Sequence, residues 1–317
     1  MPVNRSKQGG KLYLTMMIVV IGLSLLIGLI PKLPVPDAGV TGDIAFSEAI
    51  FLIPVLVFLF MDRFEPLRGM RLRPIGAPTM LWTLLFTVLM MPIAVLLNLL
   101  TQLAVPNAVA GTLGATTALP LWVSLLYFAV LPPLIEEFIF RGVLFQYFRS
   151  CGLFKTAMLT GLMFGLAHLN LNQFLYAFVL GIFWAFLDEA TGSIYSSMLS
   201  HSLINGLNVA MVYITVSNLP ENMVGAVEQA QDAASVASLS LIYWIILSVV
   251  AGACAVLSII IIRHLAKIRG NSQKFSDALR GKDRTGGKEG RKSFSVPLLL
   301  GLVIPIVMIG ISMATAK

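Results

Sequence analysis

Charge is scarce in this chain. Asp, Glu, Lys and Arg make up 12% of its 317 residues, 57% are hydrophobic, and the mean hydropathy is +0.89. That balance excludes an ordinary soluble domain. Alternation of apolar with polar residues is also missing from the apolar runs, which argues for helices and against a membrane barrel. Cysteine is nearly absent: Cys151 falls in an expected inner loop and Cys254 mid-helix, so no disulfide is expected. No internal repeat and no soluble domain is evident. No Ala-x-Ala-like site follows the first apolar run, which is long for a signal segment. A retained helix is therefore expected there, although Arg5, Lys7 and Lys11 precede it.

What the chain does have is apolar runs long enough to cross a bilayer as helices. They fall at about 12–30, 44–61, 79–104, 119–147, 155–168, 171–187, 192–216, 238–262 and 294–314, the fifth and sixth being short enough for a tight or partly re-entrant hairpin. The expected fold is an all-α, polytopic membrane helical bundle of about eight to nine transmembrane helices, forming one membrane domain over 1–317. With the N-terminus inside, the inner segments 1–11, 62–74, 148–155, 188–191 and 263–293 hold 19 of the 22 Lys and Arg. Arg141 lies within the membrane, and only Lys32 and Lys317 fall outside. This asymmetry predicts a cytoplasmic N-terminus and an external C-terminus. The net charge of +7 then needs no nucleic-acid partner. The polar stretch 263–293 reads as a mobile basic cytoplasmic loop, a topology-setting linker that also offers contact to anionic lipid. His264 at its start reads as a headgroup-level histidine, and the acidic outer loop 217–237 as a short surface helix.

Within this apolar background a few polar residues stand out, because ionisable groups at membrane depth usually face a protein interior and usually do something. Glu137 and Arg141 are four apart and on one helical face, within salt-bridge reach. Glu136 is rotated about 100° from Glu137, so the arginine neutralises one carboxylate while the other points elsewhere. Pro132 and Pro133 remove backbone donors just ahead of the pair and predict irregular backbone beside it. Phe164 and His168 share a face, as do His201 and Asn205, which Ser197 and Asn208 extend by a turn each way. Gly161 and Gly165 predict close approach of another helix. At 1.5 Å per residue Glu136, His168, His201 and Asn205 all fall roughly 14–20 Å from the cytoplasmic edge. Three helices therefore bring polar groups to one level. A network needed only for rigidity has little use for such a set, which is costly unless fully satisfied.

The chemistry this set permits is amide hydrolysis. A glutamate paired with histidine holds and deprotonates a water, with Glu136 and His168 the candidates. His201 and Asn205 supply donors to the developing oxyanion. No nucleophile is evident, since neither cysteine belongs to the set, so water activation fits better than an acyl-enzyme. Glu136, His168 and His201 also have the ligand types of a three-ligand zinc site with an open position; on the water reading no cofactor is expected.

Glu136-Glu137-x-x-x-Arg141, Phe164-x-x-x-His168 and His201-x-x-x-Asn205, intact and in order, resemble the three signature motifs of the CAAX prenyl protease and bacteriocin-processing (CPBP, or Abi) family. The resemblance covers roughly 120–216, about a third of the chain. It implies a multi-pass, CAAX-type intramembrane glutamate endopeptidase with its core at 120–216 and flanking transmembrane helices at 1–104 and 238–314. It implies Glu136 as general base, His168 orienting the water, His201 and Asn205 as oxyanion hole, and Glu137, Arg141 and Phe164 as supporting residues. Its partners would be the bilayer and a membrane-associated protein or peptide substrate. The short loops point to a prokaryotic plasma-membrane protein, and the flanking helices are read as completing the bundle. A non-catalytic scaffold that binds a partner envelope protein is the alternative. An ion-coupled transporter would more naturally bring repeats with broken helices in corresponding positions.

Overall fold

The computed structural model describes residues 5–29, 39–62, 69–107, 116–218, 233–280 and 294–315. Its elements are α1 (Arg5–Leu29), α2 (Gly39–Asp62), α3 (Ala77–Gln102), a composite α4 (Leu121–Cys151), α5 (Leu153–Ala167), α6 (Leu171–Thr191), α7 (Tyr195–Ser217), a short α8 (Ala233–Ala237), α9 (Leu241–Ile268), α10 (Ser272–Leu279) and α11 (Val296–Thr315). Among the described residues there is no strand, and eight helices are long and apolar enough to span a membrane. The fifth apolar run, α5, is a shorter helix of 15 residues. The chain is a polytopic helical bundle and a multi-pass membrane protein.

The arrangement follows from which helices can afford a lipid-facing side. α2, α9 and α11 expose rows of large apolar side chains, among them Phe60, Leu241, Val249 and Val303. In water that would be a liability; in hydrocarbon it costs nothing. α6 is the most enclosed of the eight spanning helices: over half of its apolar window is buried, and it packs against α3, α5, α7 and α9. Asn170 starts it by accepting a hydrogen bond from Gln173 N at 2.8 Å, and Gly192 ends it in the left-handed conformation at φ 69°. α1 joins the core through Tyr13, whose buried hydroxyl donates to Met163 O at 3.0 Å.

α5 and α6 form a tight hairpin. A Cβ added at Gly165 would sit 2.7 Å from the backbone oxygen of Phe174, a distance real side chains do not adopt. Glycine is required there because backbone meets backbone. Gly165→Ala is expected to cost about 1–3 kcal/mol by overpacking, seen as a lower thermal midpoint in detergent. An unchanged midpoint would show that the hairpin yields easily.

One sequence expectation needs correction. The stretch 263–293 is not wholly a loop: α9 runs on to Ile268, and α10 is an amphipathic helix that buries Phe275 and Ala278. A Phe three residues before a small Ala gives one apolar stripe on an otherwise polar helix. The basic run at 282–292 lies outside the described residues, as do Lys32, Lys317 and most of the outer stretch 217–237; the short α8 is its described helical part. His264, read as a headgroup-level histidine, stands edge-on to Trp82 with ring centroids 4.6 Å apart. Cys151 and Cys254 are both free thiols.

Candidate active site

The site is built on the broken backbone of α4. Leu121–Ser124 is α-helical, Leu125–Val130 widens to a π-helix, Leu131–Glu137 is α-helical again, and Phe138–Leu144 widens a second time. The prolines explain the first break. Pro132 has no N–H to donate back to Phe128, and its ring crowds that carbonyl. The freed oxygen is taken up from another helix: Asn205 Nδ2 donates to Phe128 O at 3.2 Å. One amide hydrogen of Asn205 therefore secures the kink, and the other remains for the cavity. π-turns of this kind recur at functional sites because they re-aim the side chains that follow.

Below the kink the two carboxylates part. Glu137 is completely buried, with Oε2 3.2 Å from Arg141 Nε and Oε1 3.0 Å from His201 Nδ1. Among the described residues the Arg141 nitrogens make no linear hydrogen bond. The guanidinium is held by charge and by two aromatic faces, lying 4.5 Å from the Phe164 ring centroid and 5.4 Å from that of Trp184. Room for it exists because Gly181 carries no side chain: a Cβ there would meet Arg141 Nη2 at 3.0 Å. Glu136, one residue earlier, keeps 23% of its side-chain surface and turns into the open, with Oε2 3.6 Å from His201 Nε2.

The hydrogen-bond partners assign the imidazole tautomers. A carbonyl only accepts, so His168 Nδ1, 2.9 Å from Phe164 O, carries the hydrogen and leaves Nε2 as an acceptor. His201 Nδ1 likewise donates to the Glu137 carboxylate, and in the neutral ring its Nε2 faces Glu136 as an acceptor. The His201 ring stacks on Trp184 at 4.3 Å between centroids and 24° between planes. Trp184 is fixed in turn, its indole N–H donating to Ser200 Oγ at 3.0 Å, which is also bonded by Thr87 Oγ1 at 2.9 Å.

Glu136, His168, His201 and Asn205 line one cavity of about 480 Å³. Glu136 and His168 also line a smaller one of about 180 Å³ that reaches Phe51 on α2. Phe164 borders both. Contrary to the expectation that the flanking helices only complete the bundle, α3 forms a wall of the larger cavity through Met91, Ala94 and Asn98. Sequence reading passed over Trp184, Asp188 and Glu48. Asp188 is buried beneath the site and accepts from Ser197 N at 3.0 Å and Ser197 Oγ at 2.7 Å, which caps the start of α7 and explains why Ser197 is not part of the cavity face. Glu48 is buried, and its Oε2 has no hydrogen-bond partner among the described residues. The signal for Glu48 was the one that drew attention to Glu136, a carboxylate within an apolar segment, whereas Asp188 reads as part of the inner segment 188–191.

The end of the bundle that carries the basic residues is closed by polar contacts. Buried Glu189 pairs with Arg71 Nη1 at 2.6 Å and with Arg149 Nη2 at 2.9 Å. Arg269 Nε donates to Thr191 O at 3.0 Å, and Asn271 Nδ2 to Ala190 O at 3.1 Å. Lys274 on α10 sits by this cluster, and the positive charge of Arg71 holds its ammonium below the usual lysine pKa.

Among the described residues no three His, Cys, Asp or Glu side chains are gathered closely enough to hold an ion, the trio Glu136, His168 and His201 included.

Residues 118–207 match the family model described as Rce1-like, type II CAAX prenyl endopeptidase Rce1-like. The resemblance carried by the three motifs is thus met by a family model over the same segment. A 94-residue stretch is 28% identical to the Bacillus subtilis (strain 168) protein named "Putative membrane peptidase YdiL". The match covers 29% of this chain and 38% of that protein. No solved structure matches the chain.

Proposed function

We propose that this chain is an intramembrane endopeptidase that hydrolyses a peptide bond of a membrane-associated protein or peptide with a water activated by Glu136 and His168. The observation that carries this reading is the division of labour between adjacent carboxylates. Glu137 is locked by Arg141 and His201, whereas Glu136 opens onto the cavity beside two imidazole acceptors. Likeness to a family named for CAAX prenyl endopeptidases and to a protein named as a membrane peptidase supports the same chemistry.

In this mechanism a water bound between Glu136 and His168 Nε2 gives its proton to the Glu136 carboxylate as its oxygen attacks the scissile carbonyl. The tetrahedral oxyanion takes a hydrogen bond from the second amide hydrogen of Asn205. His201 adds a second donor only when doubly protonated, because its Nδ1 hydrogen is committed to Glu137; the buried Glu137 carboxylate stabilises that cation. As the C–N bond breaks, the proton held by Glu136 passes to the leaving amine, and the carboxylate is regenerated.

Trp184 acts here as a positioning residue. Trp184→Phe keeps a ring under His201 but loses the hydrogen bond to Ser200. It is expected to lower kcat roughly 10- to 100-fold through misplacement of the imidazole, with KM within about twofold. Ser200→Ala should reproduce the kcat effect; wild-type kcat in both variants would remove Trp184 from the mechanism.

The test of the proposal is comparison of protein N-termini in membranes carrying the wild-type chain or Glu136→Gln at equal abundance. New N-termini that appear only with the wild type support it and identify the substrate. Identical profiles in both membranes reject it in favour of a non-catalytic scaffold.

A further inference from the structure

We infer that the cavity takes its substrate from the face of the membrane opposite the basic segments, as an internal, uncharged, extended stretch of polypeptide. The word substrate rests on the peptidase reading; the side on which the cavity opens does not.

The direction is written in the lining residues. On α7 the lining runs from His201 through Asn205 and Met211 to Val216. The fifteen steps from the first to the last span about 22 Å along the helix axis. On α6 it climbs the opposite way along the chain, from Trp184 to Gln173, and on α3 it ends with Asn98, beyond which Asn107 borders the mouth. All three series lead to one end of the bundle: the end of α3, the start of α6 and the end of α7. Asn208 and Met211 are exposed there.

The other end is closed. Beneath Glu136 lie Glu137, Arg141 and Asp188, all buried, and beneath them Glu189 with its two arginines. A chain approaching from that side would have to break those ion pairs in a low-dielectric interior, where orphaning one partner is strongly unfavourable. The basic residues flank this closed end: Arg71, Arg73, Arg149, Lys155, Lys267 and Arg269 lie there, whereas the described residues 105–107, 116–118, 217–218 and 233–237 at the opposite end include no Lys or Arg. Basic segments stay on the cytoplasmic side during insertion. The mouth then faces the exterior.

The chemistry of the lining identifies what enters. Among the described residues no Lys or Arg borders the cavity, and Glu136 is the one carboxylate on it. A free C-terminal carboxylate close to the scissile bond would find no Lys or Arg side chain among the described lining residues. Asn98, Gln173, Asn205 and Asn208 instead present carboxamides between apolar walls. A carboxamide both donates and accepts, which matches the alternating N–H and C=O of an extended peptide.

The side is tested by thiol labelling of the full chain with Cys151→Ser and Cys254→Ser. A single cysteine is placed at the mouth (Thr215→Cys) or at the basic end (Lys267→Cys), and intact bacterial cells are treated with a membrane-impermeant maleimide before and after permeabilisation. Thr215→Cys is expected to react in intact cells at least 10-fold faster than Lys267→Cys, and both should react after permeabilisation. Reaction of Thr215→Cys only after permeabilisation, no reaction at all, or equal reaction of both positions in intact cells overturns the assignment. Expected labelling in a chain that cleaves nothing would instead sink the peptidase reading and leave the side standing. For the lining, a cleaved membrane substrate with Asp placed on either side of the scissile bond should be cut at least 10-fold more slowly; equal rates overturn the uncharged preference.

Discussion

Glu136→Gln is expected to abolish peptide-bond cleavage and leave the bundle intact. The two side chains have the same shape, and Glu136 makes no ion pair with Arg141, whose partner is Glu137. The substitution therefore orphans no buried charge. What it removes is the capacity to take a proton from water and return it to the leaving amine. Loss of a positioned general acid–base costs typically about 10²–10⁴ in rate. The fall should appear in kcat with KM nearly unchanged, because an interaction made mainly in the transition state is lost. The measurement is single-turnover cleavage of the substrate found by the N-terminal comparison, with a thermal midpoint in detergent taken alongside. Wild-type turnover in Glu136→Gln would exclude Glu136 as the base whatever the fate of the other residues.

The neighbouring residue should behave in the opposite way. Glu137→Ala is expected to destabilise the protein by about 3–5 kcal/mol, the usual cost of stranding one member of a buried ion pair. Its partner, Arg141, is nearly wholly buried, at 1% side-chain exposure, with no other carboxylate on its nitrogens among the described residues. The same change leaves His201 Nδ1 without its acceptor, so activity per folded molecule should fall as well. The diagnostic is a double-mutant cycle. Glu137→Ala with Arg141→Met removes both charges and fills the guanidinium's place with an apolar chain. It should therefore recover a large part of the stability lost in the single variant. Thermal midpoints of the four proteins decide it. Glu137→Ala with a wild-type midpoint, or a double variant less stable than either single one, would show that this pair does not anchor the site. Adjacent glutamates would thus separate cleanly: one substitution removes turnover and spares folding, the other removes folding first.

Much of this was legible before any coordinates. The Glu137–Arg141 pair followed from a spacing of four, and it forms at 3.2 Å. The tandem prolines announced irregular backbone, and α4 breaks into π-helical turns beside them. Gly161 and Gly165 announced a close helix pair, and α5 and α6 touch backbone to backbone there. Each of these is a local rule, settled within a turn or two of helix. What stayed hidden was long-range. Asp188 lies on the helix before Ser197, and nothing in the spacing shows that the hairpin folds its carboxylate under the start of α7. Trp184 is one more aromatic in an apolar run, and no linear pattern shows that His201 stacks on it. α10 was missed because a single buried stripe on a polar helix has no meaning until a partner surface is known.

The residue order alone determined that this is a helical membrane protein, which end of each helix carries the basic residues, and which few side chains are too costly in hydrocarbon to be idle. These properties belong to single helices and to their transfer into lipid, and a linear pattern encodes them. The packing of α3, α6 and α7 decided the rest: that Glu136 and not Glu137 meets the cavity, which imidazole nitrogen is left as an acceptor, and that the passage closes at the basic end and opens at the other. Those outcomes depend on distances between residues up to a hundred positions apart. Such distances are set by how apolar faces fill space against one another, and no local spacing contains them.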